Sequence, residues 1–232
     1  MNKMQIVGHR GASGLLPENT LAAFQKAIDL GCNGFELDVQ LSFDDQLIVI
    51  HDETVDRTTN GIGFVNELTL TEIKSLLISH KYKIPTLEEV FEIITTDIFV
   101  NIEIKNNLAV EKVIILIEKF IAEKSFKYSN FIISSFDWKC LEKVRLLNRN
   151  ILIGVLTDNN IEGAISFAKI INAKSINPYF RLLNKENVAK IQNESIEIHA
   201  WTVNEIADIE LMKSLNIDVI ITDFPDRILK VI

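Results

Sequence analysis

Short apolar runs rich in Ile and Val alternate with longer stretches whose apolar residues recur at helical spacing, from one end of the chain to the other. The strand-type runs are MQIVG (4–8), GFELDV (34–39), IFVNIEI (98–104), FIIS (131–134), ILIGVL (151–156), SIN (175–177), EIHAWT (197–202) and VIIT (219–222). Between them lie LAAFQKAIDLG, TLEEVFEIIT, AVEKVIILIEKF, WKCLEKVRLL, EGAISFAKII, KENVAKIQ and EIADIELMKSL, and a short DRILKVI closes the chain. Strand then helix, repeated eight times over 232 residues, predicts a (β/α)8 TIM barrel. No Pro-, Gly- or Ser-rich linker divides the chain, so residues 1–232 are expected to form one domain.

A ninth apolar run, QLIVIHD (46–52), follows GFELDV too closely to leave room for a crossover helix. With SFDDQ as the turn, it reads as a small β-hairpin inserted after the second strand, carrying His51 back beside Asp38. A direct parallel return through extended chain fits the same residues. Either route leaves His51 at the same rim.

In a barrel of this kind, the chemistry gathers where the C-terminal strand ends open into the mouth. The second strand places two acids there. Alternation at period two sends Phe35, Leu37 and Val39 to one face and Glu36 and Asp38 to the other. In NIEIK the same alternation puts Asn101, Glu103 and Lys105 on one face, and the first strand ends in His9 and Arg10. Barrel strands are covered on both sides, so a mid-strand acid has to be paired, hydrogen-bonded or bound to a metal. Three acids converging on one mouth repel each other unless a cation lies between them. Glu36, Asp38 and Glu103 supply oxygen ligands only, the set for one hard divalent ion, Mg²⁺ or Ca²⁺, rather than zinc.

His9 and His51 each follow an apolar strand and arrive at this carboxylate end, an arrangement suited to a general base and a general acid. His199 shares parity with Trp201 but lies deeper, and is read as a core residue. Arg10 and Lys105 add two cations. Three carboxylates, two cations and one divalent metal leave a single net positive charge, which a phosphodiester balances; a carboxylate or sulfate ester would balance it as well.

Composition narrows the field. Apolar residues make up 47%, enough for a large core, and 32 acidic against 24 basic residues give a formal charge of -8. No basic run interleaved with aromatics marks a nucleic-acid track. No uncharged apolar segment reaches membrane-spanning length, and the N-terminus lacks the apolar core of a secretory signal, so a cytoplasmic location without a membrane anchor is expected. Cys32 and Cys140, without CxxC or Cys/His spacing, read as buried free thiols.

The segments GHRGASGLLPENTLAAFQKAIDLG, FELDVQLSFDDQLIVIHDETVDRTTNG, IPTLEEV, NIEIK, ISSF, AWTVN and IITDFPD, in that order, resemble the glycerophosphodiester phosphodiesterases over nearly the whole chain. The resemblance implies a barrel with a divalent metal on Glu36, Asp38 and Glu103, acid–base roles for His9 and His51, and phosphate binding by Arg10 and Lys105. Asn19 in PENT and Asp52 also match motif positions, and Asn19 read by itself is the N-cap of the first helix. Trp201 and Phe136 match aromatic positions at the mouth, where they would pack on substrate. Two departures stand out: DDQ replaces the family's usual Asp-Gly turn at 44–46, and the run before IPTL is short. The implied activity is hydrolysis of glycerophosphodiesters to glycerol 3-phosphate and an alcohol. Its rivals are a lysophospholipase D using the same residues and a non-catalytic phosphodiester-binding barrel. Oligomerisation is compatible with the sequence.

Overall fold

The computed structural model describes residues 4–228, so residues 229–232 of the closing DRILKVI run lie outside it. The strands are β1 (Gln5–Gly8), β2 (Gly34–Leu41), β3 (Leu47–Val49), β4 (Phe99–Ile104), β5 (Phe131–Ser135), β6 (Leu152–Thr157), β7 (Ser175–Pro178), β8 (Glu197–Ala200) and β9 (Val219–Thr222). The α-helices are α1 (Leu21–Asp29), α2 (Leu70–Ser75), α3 (Leu87–Ile93), α4 (Val110–Lys124), α5 (Trp138–Leu147), α6 (Ile161–Ile171), α7 (Lys185–Asn193), α8 (Ile206–Ser214) and α9 (Pro225–Ile228).

Eight of these strands pair in parallel in the ring order β1-β9-β8-β7-β6-β5-β4-β2, and the β1–β2 pairing closes it into the expected barrel. β3 lies outside the ring. It pairs antiparallel with β2, Val39 opposite Val49, so the chain takes the hairpin and not the parallel return. Asp45 stands where the usual turn has glycine and adopts φ 64°, a left-handed conformation that Asp tolerates. The Asp44 carboxylate meanwhile accepts hydrogen bonds from the Ser42 hydroxyl and the Leu70 amide. The hairpin therefore survives the substitution.

The apolar face of β2 turns outward to the helix layer. Phe35, Leu37 and Val39 are fully buried, and Phe35 stacks on Phe24 of α1 with ring centroids 4.5 Å apart. Its polar face turns into the barrel. Gly34 begins β2 with no room for a side chain, since a Cβ there would lie 2.1 Å from the Phe99 carbonyl oxygen. That close approach sets the β2–β4 register, in which Glu36 lies opposite Asn101 and Asp38 opposite Glu103.

Between β3 and α3 the chain builds more than a hairpin. Ile48, Ile50, Val55, Val65, Ile73, Ile78 and Ile84 form a separate buried cluster under α2 and a 3-10 turn, Val65–Glu67. These residues follow neither period two nor period 3.6, so periodicity could not reveal the unit. Cys32 and Cys140 are both buried free thiols, as expected. Among the described residues, no helix is long and apolar enough to cross a membrane.

Candidate active site

The mouth forms where β1, β2, β4 and the end of β3 meet. Glu36, Asp38 and Glu103 each present a carboxylate oxygen, and these oxygens lie within 4.8 Å of one another. All three side chains are nearly sealed from solvent, at 4%, 1% and 9% exposure. Burial, followed by the Asp38 charge, pushes Glu36 up to about 8. The same two causes raise Glu103. Burial would raise Asp38 too, but the Lys105 and Arg10 charges outweigh it and hold Asp38 below the usual range. Glu36 Oε1 is buried with no hydrogen-bond partner, and so is the Asn101 amide oxygen of the neighbouring strand. Crowded carboxylates with an unpartnered oxygen suit a hard divalent cation.

Two cations bind into the cluster. The Lys105 ammonium lies 2.9 Å from Asp38 and also pairs with Glu103. Arg10 adopts φ 52°, which aims its backbone N–H at Glu36 Oε2, 2.9 Å away, while its guanidinium lies 3.2 Å from Asp38.

The histidines flank this cluster, each held by its own carboxylate. His9 Nδ1 lies 2.7 Å from Asp223, and His51 Nδ1 lies 2.6 Å from Asp52. An ionised carboxylate only accepts, so each Nδ1 carries the proton and each Nε2 is left for other partners. Burial would lower His9, but the Asp223 bond and the Glu36 charge overcome it and raise His9. His51 is lowered, mainly by burial. Asp223 is held at about 2: burial opposes this, and bonds from His9, Asn204 and Ser13 prevail.

The expected N-cap role of Asn19 is a correction. Thr20 caps α1 through its hydroxyl, which accepts from the Ala23 amide at 3.1 Å. Asn19, at φ 55° and 2% exposure, instead donates from Nδ2 to Asp38 Oδ2 at 2.8 Å and accepts from the Asp38 amide. PENT thus supplies a clamp on an acid of the cluster, and the cap falls one residue later.

Phe136 and Trp201 meet edge to face, centroids 5.6 Å apart, and wall a cavity of about 90 Å³ over Glu36, Glu103 and both histidines. His199 lies away from this mouth, buried at 4% beside Glu197 near the other end of the barrel. Neither periodicity nor spacing in the sequence assigns a role to Asp223, Glu18 or Arg57. Arg57 donates to both Asp52 oxygens and both Glu18 oxygens at 2.6–3.0 Å, and Glu18 in turn accepts from Arg10 at 2.9 Å. His51 and Arg10 are thereby linked through one guanidinium. The β1–β9 register, Gly8 opposite Thr222, is what makes His9 and Asp223 neighbours across 214 positions of sequence.

The model of the glycerophosphoryl diester phosphodiesterase family matches residues 9–227. A glycerophosphodiester phosphodiesterase of Caldanaerobacter subterraneus is 40% identical over 99% of this chain and 98% of its own length. The crystal structure of a glycerophosphodiester phosphodiesterase from Thermotoga maritima superposes with a TM-score of 0.86 at 32% identity, covering the whole of both chains. A phosphodiesterase from Oleispira antarctica, solved with the product sn-glycerol-3-phosphate, superposes with a TM-score of 0.88 at 25% identity over 97% of this chain and 95% of its own. With the acids, histidines and cations of its motifs gathered in one barrel mouth, the chain belongs to the glycerophosphoryl diester phosphodiesterase family, whose members are phosphoric diester hydrolases.

Proposed function

We propose that this site hydrolyses glycerophosphodiesters to sn-glycerol 3-phosphate and an alcohol with the help of one divalent cation, Mg²⁺ or Ca²⁺. The observation that carries the reading is the pair of carboxylate-anchored histidines flanking three crowded acids in one mouth. Glu36, Asp38 and Glu103 would hold the cation, which when bound offsets negative charge on the phosphoryl oxygens. Arg10 and Lys105 share that task, and the planar guanidinium suits two non-bridging oxygens.

Both imidazoles work through Nε2, because Nδ1 is committed to Asp223 and Asp52. One Nε2 takes the proton of the attacking oxygen, from water or from the glycerol hydroxyl next to the ester, and the other gives a proton to the leaving alkoxide; on the second route water then opens the cyclic phosphate with the two roles reversed, and either route gives a bell-shaped pH profile. Phe136 and Trp201 offer an apolar wall to the carbon skeleton of one substrate arm.

The direct test is release of glycerol 3-phosphate from several glycerophosphodiesters, first in EDTA and then with Mg²⁺, Ca²⁺ or Mn²⁺ restored. Activity that disappears with EDTA and returns with a cation is the expected result. Activity undiminished in EDTA would remove the cation from the reading, and no product from any diester would remove the activity.

A further inference from the structure

Asp223, which holds the His9 ring, is itself gripped by Asn204, a residue of the loop between β8 and α8. Asn204 Nδ2 donates to Asp223 Oδ2 at 2.6 Å, and Asn204 Oδ1 accepts from the Asp223 amide at 2.9 Å and from the Thr222 hydroxyl at 3.1 Å. The side-chain amide has only one workable orientation, because turning it over would set Nδ2 against the Asp223 N–H. Asp223 Oδ2 is therefore taken, and Oδ1 is left to His9 at 2.7 Å and to the Ser13 hydroxyl at 2.8 Å.

Asn204 is fixed in its turn. The Val203 amide donates to the Ile221 carbonyl at 2.9 Å, and Arg227, 3.8 Å over the Phe224 ring, donates to the Asn204 carbonyl at 3.1 Å. The Gly14 amide donates to the Asp223 carbonyl at 2.9 Å, so the loops after β1, β8 and β9 all meet at this one acid. Such bracing matters because the Asp223 side chain is 27% exposed: water competes for its oxygens, and its two side-chain torsions are otherwise free to swing it away. A free imidazole favours the proton on Nε2, the opposite of the tautomer needed at the mouth. A carboxylate held still against Nδ1 reverses that preference.

On the hydrolytic reading above, on which this step rests, we infer that Asn204 is a positioning residue for His9: it locks the Asp223 carboxylate, so that the imidazole keeps its proton on Nδ1 and presents Nε2 to the mouth. Without Asn204 both remaining side-chain bonds to Asp223 fall on a single oxygen, and the carboxylate pivots about it. Ser13 is the lesser partner, since it shares Oδ1 with His9. On the other side of the mouth Arg57 grips both oxygens of Asp52, so each histidine rests on a carboxylate that is held from behind, one by a neutral amide and the other by a guanidinium.

The test follows the ring itself. Long-range proton–nitrogen spectra are recorded on Mg²⁺-loaded protein with nitrogen-labelled histidine, at about pH 9 where imidazole is neutral, and the His9 signals are identified by their loss in His9→Gln. The wild type shows a protonated Nδ1 and a bare Nε2. Asn204→Ala and Asn204→Ser move the ring toward the Nε2–H tautomer and lower kcat for glycerophosphocholine by roughly 10-fold, with KM changed by less than about 2-fold, while Ser13→Ala lowers kcat by about 3-fold. Serine is shorter than asparagine but still offers an acceptor to the loop N–H, so this variant carries the test where Asn204→Ala does not fold. A merely structural Asn204 would lower the melting temperature and leave ring signals and kcat of the folded protein as in the wild type; that result overturns the inference. If the wild type hydrolyses no diester, the activity reading fails separately, and unchanged ring signals in the folded variants still reject the clamp.

Discussion

Replacing Glu36 by Gln should stabilise the protein in EDTA while removing its response to divalent cations. In the metal-free fold the Glu36 carboxyl is displaced from 4.5 to about 8, first by burial and then by Asp38. The folded protein thus holds this proton more tightly than the unfolded chain does, and stability falls as pH rises from about 4.5 toward 8. At pH 7 the accumulated cost is about 3 kcal/mol. Gln keeps an acceptor for the Arg10 amide, which now bonds to Glu36 Oε2, and carries no charge. Allowing for imperfect amide contacts, a net gain of about 2 kcal/mol remains, a rise in Tm of roughly 5 °C for a chain of this size. Thermal unfolding at pH 7 in EDTA should show that rise, and at pH 4 the difference should vanish. Added Ca²⁺ or Mg²⁺ at about 100 times its Kd should stabilise the wild type by about 2.7 kcal/mol and the variant by much less. A variant less stable than wild type in EDTA at pH 7, with an undiminished cation response, would refute the idea that these acids are gathered for a cation.

Four further outcomes are expected. His51→Ala should lower turnover by roughly 10²-fold or more while cation binding, followed by calorimetry, persists. Arg57→Gln removes the bonds to Asp52 and Glu18; its half-exposed setting limits the stability loss to about 1 kcal/mol, while kcat should fall by roughly 10-fold as the His51 ring loses its brace. Asp223, held at about 2 against an ordinary 3.8, contributes stability that is complete above about pH 4 and is lost as pH falls toward 2; Asp223→Asn should flatten that acid limb in a series of melting curves. Gly34→Ala drives a Cβ against the Phe99 carbonyl oxygen and should cost about 3 kcal/mol or more, read from urea unfolding.

The positions of Glu36 and Asp38 on one face of β2 were legible because alternation is a local property of an extended chain, and the same holds for Glu103 and Lys105 on β4. The pairing of β2 with β3 was legible for a similar reason, since only SFDDQ separates the two runs. The inserted unit was not, because its isoleucines and valines face a common centre without any repeat along the chain.

What the sequence by itself determined is the alternation that makes a barrel, the residue types at its mouth, and the faces they occupy. Tertiary structure alone decided which of them touch. Asp223 reaches His9 only because β9 closes the ring onto β1, and Arg57 bridges Asp52 to Glu18 only because the inserted unit folds back over the PENT loop. Periodicity along the chain records where each side chain points, but a contact between distant segments exists only once chain closure has brought them within hydrogen-bonding distance.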